Sequence, residues 1–269
     1  MNTLRQTGDD VAHSDTLEWL ARAGFVARGA IYGIIGVLAV GVAIGAGGRT
    51  TDQQGAMQTL ADGAFGSALL VVLAVGLAGY ALWRLVRAAI GHGPEASDST
   101  FDRVAGVASG IAYAILCATA VAILLGSSGG GSGSPDKATG GVLGWPAGQW
   151  LVGAAGVALI GVGLYQGYKG LSRGFLEDSK TDEMSERTQR WFTALGVFGH
   201  VSRMVVFALI GWFLLRAAIT FDPDEAIGLD GALEKLAGES YGPVLLGIVA
   251  VGLVGFGAYS IADARYRRV

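Results

Sequence analysis

The sequence predicts an all-α integral membrane protein of six transmembrane helices, and three observations predict it. The chain has 269 residues, of which only 15% are charged, and its mean hydropathy is +0.50. A soluble domain carries about 25% charged residues. The apolar residues fall into six runs, each close to the roughly 20 residues needed to cross a ~30 Å hydrocarbon core. The same short motifs return three times, which points to three tandem two-helix repeats in a pseudo-three-fold bundle.

The spans are expected at about Val26–Ala46, Gly66–Val86, Val104–Leu125, Trp150–Leu171, Val197–Ala218 and Val244–Ala262. Only helices and closed barrels satisfy every backbone group in lipid, and the runs lack the alternation of barrel strands. The first twenty residues are polar and have no apolar h-region with a small-residue cleavage site, so the first span is expected to be an uncleaved signal anchor. Most of the 45 glycines sit inside the apolar runs. In lipid, small residues let helices approach closely. The GxxxG pairs Gly29/Gly33, Gly41/Gly45, Gly106/Gly110 and Gly163/Gly167 are expected helix contacts.

Orientation follows from the basic residues of the loops. Arg5, Arg22, Arg84, Arg87, Arg103, Lys169, Arg173, Lys180, Arg187, Arg190, Arg265, Arg267 and Arg268 fall on one side. Arg49, Lys137, Arg216 and Lys235 fall on the other. The positive-inside rule places the first set, and with it both termini, in the cytoplasm. The Gly/Ser segment 127–135 then lies outside and reads as a flexible linker.

The repeat is visible at three places. Gly24, Val26, Arg28, Tyr32 and Gly36 match Gly199, Val201, Arg203, Phe207 and Gly211 at a constant offset of 175. The third span aligns at an offset of 81 through Ala105, Gly110 and Tyr113, with Ser109 in place of the arginine. Along the even spans Gly76, Tyr80 and Trp83 match Gly161, Tyr165 and Tyr168, then Gly252, Phe256 and Tyr259. Outside the membrane, Gly55–Ala61 matches Gly231–Ala237, and a degenerate copy lies around Gly140. These segments read as short interfacial helices capping the bundle, or as a lid. The repeats run over about residues 17–90, 100–176 and 190–267 of a single membrane domain.

The segments Leu20–Gly29, Gly231–Ala237 and Ala264–Arg268 resemble the bacterial membrane family catalogued as domain of unknown function 1206. The resemblance covers nearly the whole chain. It implies a repeated two-span unit and a bacterial inner membrane, and it supplies no activity, cofactor or site residue.

Candidate binding residues are few. Arg28 and Arg203 lie near the inner edge of their spans, and an arginine at mid-membrane costs about 3 kcal/mol on insertion scales. Two readings are open: the arginines snorkel to headgroups, or they face inward and bind an anion, a lipid phosphate or a carboxylate. Asp263 is the nearest carboxylate and reads either as a partner for one of them or as a solvated helix-end charge. Tyr80 and Tyr165, with Phe256, lie one turn deeper and read either as lining an axis between repeats or as core, while Trp83, Tyr168 and Tyr259 read as an interfacial aromatic belt. His200 is the one histidine within a span; the other two, His13 and His92, lie in polar segments. That pattern does not support a bis-histidine haem. The sequence contains no HExxH, CxxC, phosphate-loop or nucleophile-elbow motif, and the single Cys117 lies in an apolar run. No cofactor, metal or catalytic residue is expected, and the chain reads as non-enzymatic. The expected partners are membrane lipids, anionic ones included, and a membrane-protein partner or second copy, but not nucleic acid. The expected function is a scaffold or accessory subunit of a membrane complex; the alternative is a channel, transporter or lipid-binding protein using the axis.

Overall fold

The computed structural model describes residues 15–90, 100–126 and 135–267. Among them are nine α-helices: α1 (Asp15–Ala43), α2 (Gln53–Ala61), α3 (Gly66–Ile90), α4 (Thr100–Leu124), α5 (Pro135–Leu143), α6 (Gly148–Leu171), α7 (Glu186–Thr220), α8 (Leu229–Ala237) and α9 (Gly242–Tyr266). The long helices α1, α3, α4, α6, α7 and α9 are each long and apolar enough to cross a membrane. The chain is therefore a multi-pass membrane protein. Two spans start well before their apolar runs. α7 begins at Ser185, whose hydroxyl accepts the Thr188 N–H as an N-cap, so the basic segment with Arg187 and Arg190 is already helical. α1 stops at Ala43, and Gly45 follows with φ of +71°. Gly45 thus belongs to the helix end and Gly41 only grazes the Gly47 carbonyl at 3.7 Å, so the Gly41/Gly45 pair makes no helix–helix contact. The Gly/Ser residues 127–134, His13 and His92 lie outside the described residues.

Each unit has one short helix, α2, α5 or α8, between its two spans. α5 forms where the sequence copy is degenerate. A four-residue turn joins each short helix to the next span, and each turn closes on a glycine: Gly66, Gly148 and Gly242. A Cβ at any of the three would fall on the carbonyl of Ala61, Val142 or Ala237. Glycine is required there by close approach, not by composition.

These three glycines fix the register of the even spans. Subtracting 94 from each number in α9 gives its equivalent in α6, and subtracting 176 gives that in α3. The packing confirms it. A Cβ at Gly257 would meet the backbone of Gly29 at 2.7 Å and Gly33 at 2.9 Å, and one at Gly163 would meet Met204 at 3.0 Å and Ala208 at 3.1 Å. Gly36 faces Ala250 and Val254, and Gly211 faces Gly156 and Ile160. In the middle unit Gly110 faces Ala81 and Leu85, and the Cys117 thiol, standing where Gly36 and Gly211 stand, donates to the Ala74 carbonyl at 3.4 Å. The match of Tyr80 and Trp83 to Tyr165 and Tyr168 is therefore displaced by three residues. The structural equivalents in α6 are Val162 and Tyr165. Aromatic spacing alone fits both registers, and the turn glycines decide between them.

The same seam thus occurs three times between successive units, as α3–α4, α6–α7 and α9–α1. Spans within a unit also pack together in the first unit (α1–α3) and the third (α7–α9), but α4 and α6 form no such interface in the middle unit. The six-helix ring is pseudo-three-fold with one open seam. Its centre is filled by Ile35, Leu70, Leu246, Leu253 and Phe256, all 0–1% exposed. Met57 of α2 and Leu233 of α8 plug the short-helix end.

Candidate anion site at the basic end of the bundle

Arg28 and Arg203 both turn inward. Arg28 Nε donates to the Ser260 hydroxyl at 3.2 Å, and its Nη2 lies 3.7 Å from Asp263 Oδ2. The Arg28 side chain is 12% exposed and the Asp263 side chain is fully buried. The snorkelling reading fails for Arg28, as does a solvated helix-end role for Asp263. The reason is the close glycine crossing of Gly29 and Gly257, which brings α9 within one side chain's reach of Arg28. Arg203 is held by α6: with its amide assigned by hydrogen bonding, the Gln166 carbonyl accepts from Arg203 Nη1 at 3.0 Å and Nη2 at 3.1 Å. Gln166 and Ser260 are equivalent positions, so the two arginines are bound by the same seam geometry.

The guanidinium groups lie against aromatic faces. Arg28 sits 4.9 Å from the Phe25 ring centre and 5.1 Å from that of Phe256. Arg203 sits 4.4 Å from Phe256 and 5.2 Å from Tyr32. Phe256 is shared between the two cations. Cation–π attraction grows when the pair is desolvated, and this arrangement offsets part of the cost of placing two arginines inside a bundle.

Their neutralisation differs. Asp263 also takes Arg267 Nη1 at 3.5 Å and the Ser179 hydroxyl at 3.4 Å. Arg267 continues to Asp178 at 3.1 Å, and Asp178 to Lys169 at 2.8 Å. An isolated β-bridge between Ser179 and Arg267 pins the loop after α6 to the end of α9 and buries Ser179 fully. Burial pushes the Asp178 carboxyl up, but Arg267 and Lys169 more than offset this and hold it below the ordinary carboxylate range. Arg203 has no carboxylate partner among the described residues, and its Nε is buried without a hydrogen bond. Beyond it, toward the short helices, a small cavity lined by Tyr32, Gln53, Val206, Phe207 and Leu253 has room for a water molecule.

The remaining candidates divide. Tyr80 is 1% exposed and packs edge-on against Phe25 at 5.1 Å, beside Arg28. Tyr165 is not on the axis. It is 50% exposed on the outer face of α6, because the neighbouring Gln166 points inward. His200 is buried; its Nδ1 donates to the Gly196 carbonyl at 2.8 Å and its ring stacks on Phe175 at 5.2 Å. It belongs to an aromatic packing cluster with Phe256 and Tyr259. Trp83 and Tyr259 are buried as well, which leaves only Tyr168, 70% exposed, for the expected belt. Gln166, Ser260, Arg267 and Asp178 were not singled out in the sequence. The offset of 94 defined by Gly148 and Gly242 carried the signal for Gln166.

The model of the DUF1206 family, a domain of unknown function, matches residues 23–91, 104–173 and 198–267. The chain belongs to this family. The three matched segments repeat with the same offsets as the seams. A relative in Bacillus subtilis (strain 168), the uncharacterised protein YxxB, is 34% identical over 261 residues, covering 95% of this chain and 94% of its own. No solved structure matches the chain.

Proposed function

We propose that the chain is a non-enzymatic accessory or scaffold protein of the bacterial cytoplasmic membrane, with its arginine-rich end in the cytoplasm, and that it binds the phosphate of an anionic lipid at Arg203. One observation carries the reading: Arg203 faces inward with no carboxylate partner among the described residues, and its buried Nε–H is unpaired. Arginine suits phosphate because its planar fork makes paired bonds and stays charged when partly buried. Depth supports a lipid. Gln166 lies five residues from the end of α6, about 8 Å at 1.5 Å per residue, which is within reach of headgroups. Access is supported too: Arg203, Gln166 and Tyr113 are all half-buried, and the helices that carry Gln166 and Tyr113 are the two that do not pack together. The filled axis favours this reading over a conducting pore, which needs polar groups facing a lumen.

The test is lipid retention by native mass spectrometry after reconstitution with phosphatidylglycerol. Arg203→Gln is expected to lower retained phosphatidylglycerol roughly tenfold, the effect of losing about 1.4 kcal/mol of binding, with a smaller change in thermal stability. Unchanged retention would refute the site. The proposed orientation is tested by thiol labelling. In a Cys117→Ala background, exposed Ser172→Cys is expected to react with an impermeant maleimide only after the cytoplasmic side is opened.

A further inference from the structure

The three seams are equivalent, yet the odd span of the middle unit has Ser109 where the others have Arg28 and Arg203. The partner positions show what replaces it. Ser260 in α9 and Gln166 in α6 correspond to Arg84 in α3, by the same subtraction that aligns every glycine contact. By register each seam sets one arginine opposite one neutral polar residue: Arg28 opposite Ser260 and Arg203 opposite Gln166, both hydrogen-bonded, and Arg84 opposite Ser109, where Arg84 donates to Tyr80 instead. In the third seam the two have exchanged sides. We infer that Arg84 is the third member of the anion site, supplied across the seam in place of the arginine missing at Ser109, and that Arg84 and Arg203 together bind lipid phosphate on either side of the open α4/α6 seam.

The geometry places Arg84 in the same assembly. Its Nε donates to the Tyr80 hydroxyl at 3.3 Å, and its guanidinium lies 5.6 Å from the Tyr80 ring centre. The Arg28 guanidinium lies 6.0 Å from the centre of the same ring. Cations and rings alternate as Arg84, Tyr80, Arg28, Phe256 and Arg203. Arg84 is half-buried and, like Arg203, makes no ion pair among the described residues, although its charge reaches Asp178 at longer range. Among the described residues, the α9–α1 seam sets a buried carboxylate, Asp263, against its arginine. Arg84 and Arg203 lie in the seams that flank the opening, and Tyr113 of α4 packs on Tyr80 at 4.4 Å.

This inference rests on the reading of Arg203, and the experiment separates the two. Retained phosphatidylglycerol is measured for wild type, Arg84→Ser, Arg203→Gln and the exchange variant Arg84→Ser with Ser109→Arg, each compared in phosphatidylcholine and with added inorganic phosphate. Arg84→Ser is expected to lower retention as far as Arg203→Gln does. The exchange variant, which gives the third seam the arrangement of the other two, is expected to restore it. Loss with Arg203→Gln but wild-type retention with Arg84→Ser overturns the role of Arg84 and leaves the Arg203 site standing. Wild-type retention in both overturns the site itself. Competition by inorganic phosphate at equal charge would assign the site to a soluble anion and overturn the lipid as ligand. If Arg84→Ser does not fold, Arg84→Lys replaces it; it keeps the charge without the fork, and undiminished retention there overturns the paired-bond role.

Discussion

The α9–α1 and α6–α7 seams have the same glycine crossings and the same inward arginine, and one of the positions at which they differ changes the charge beside that arginine. Where α9 has Asp263, α6 has Lys169. In the first seam the arginine's charge is met inside the protein, by a carboxylate that is fully buried and shared with Arg267. In the second, the basic residue at that position turns out to Asp178 at the helix end, and Arg203 is held by the Gln166 carbonyl and aromatic faces with no carboxylate among the described residues. One seam is built to close and the other to receive a negative charge. A repeat keeps the backbone of a site while single substitutions decide whether it is structural or vacant.

The largest effect follows from breaking the closed seam. Asp263→Asn leaves Arg28 and Arg267 facing each other without their shared charge. Removing one member of a buried pair costs about 3–5 kcal/mol, because the partner's desolvation is no longer offset. A large fall in melting temperature in detergent is expected. Lys169→Met at the equivalent position removes a pair whose side chains are 25% and 39% exposed. Such pairs contribute under about 1 kcal/mol, so it should change melting little. Equal losses in the two variants would show that the seams do not differ as described.

The next comparison is within the closed seam and concerns shape alone. A Cβ at Gly257 would meet backbone atoms of α1 at 2.7–3.1 Å, while one at Gly33 meets nothing within 4 Å. Forcing a side chain into a packed contact costs about 1–3 kcal/mol, and more where the neighbour is backbone. Gly257→Leu is expected to destabilise the bundle clearly and Gly33→Leu to be nearly silent. A melting series on the two variants checks this.

The fold was legible in the sequence because apolar run length and motif recurrence are set by the bilayer and by backbone geometry. Both survive divergence. Register was less legible. Tyr165 and Tyr168 mimic the spacing of Tyr80 and Trp83 three residues away, nearly one helical turn, and only the turn glycines resolve the choice. The direction of Arg28 was not legible at all. Whether an arginine near a helix end snorkels or turns inward depends on how close the next helix comes, and that is set by Gly29 and Gly257 on spans at opposite ends of the chain. Ser179 shows the same limit: it lies in a polar loop, yet a two-residue bridge to Arg267 buries it completely.

The smallest expected effect lies at the mouth of the closed seam, where Asp178 joins Lys169 and Arg267. Burial raises the Asp178 carboxyl, and the two cations depress it further than burial raises it, so its folded pKa lies below the ordinary value of 3.8. A carboxylate with a depressed folded pKa contributes stability that is present above its unfolded pKa and is lost as pH falls through the folded one. Wild type should therefore lose part of its stability below about pH 4, beyond what other carboxylates contribute, while Asp178→Asn should start less stable at neutral pH and show a shallower acid slope. With 39% of the Asp178 side chain exposed, solvent screens the pair and the difference is small. Melting temperatures of the two proteins, measured from pH 7 to pH 3 at low salt, should converge at the acid end. Curves that stay parallel would mean that Asp178 holds the loop by its shape and hydrogen bonds, and that its charge adds nothing to the seam.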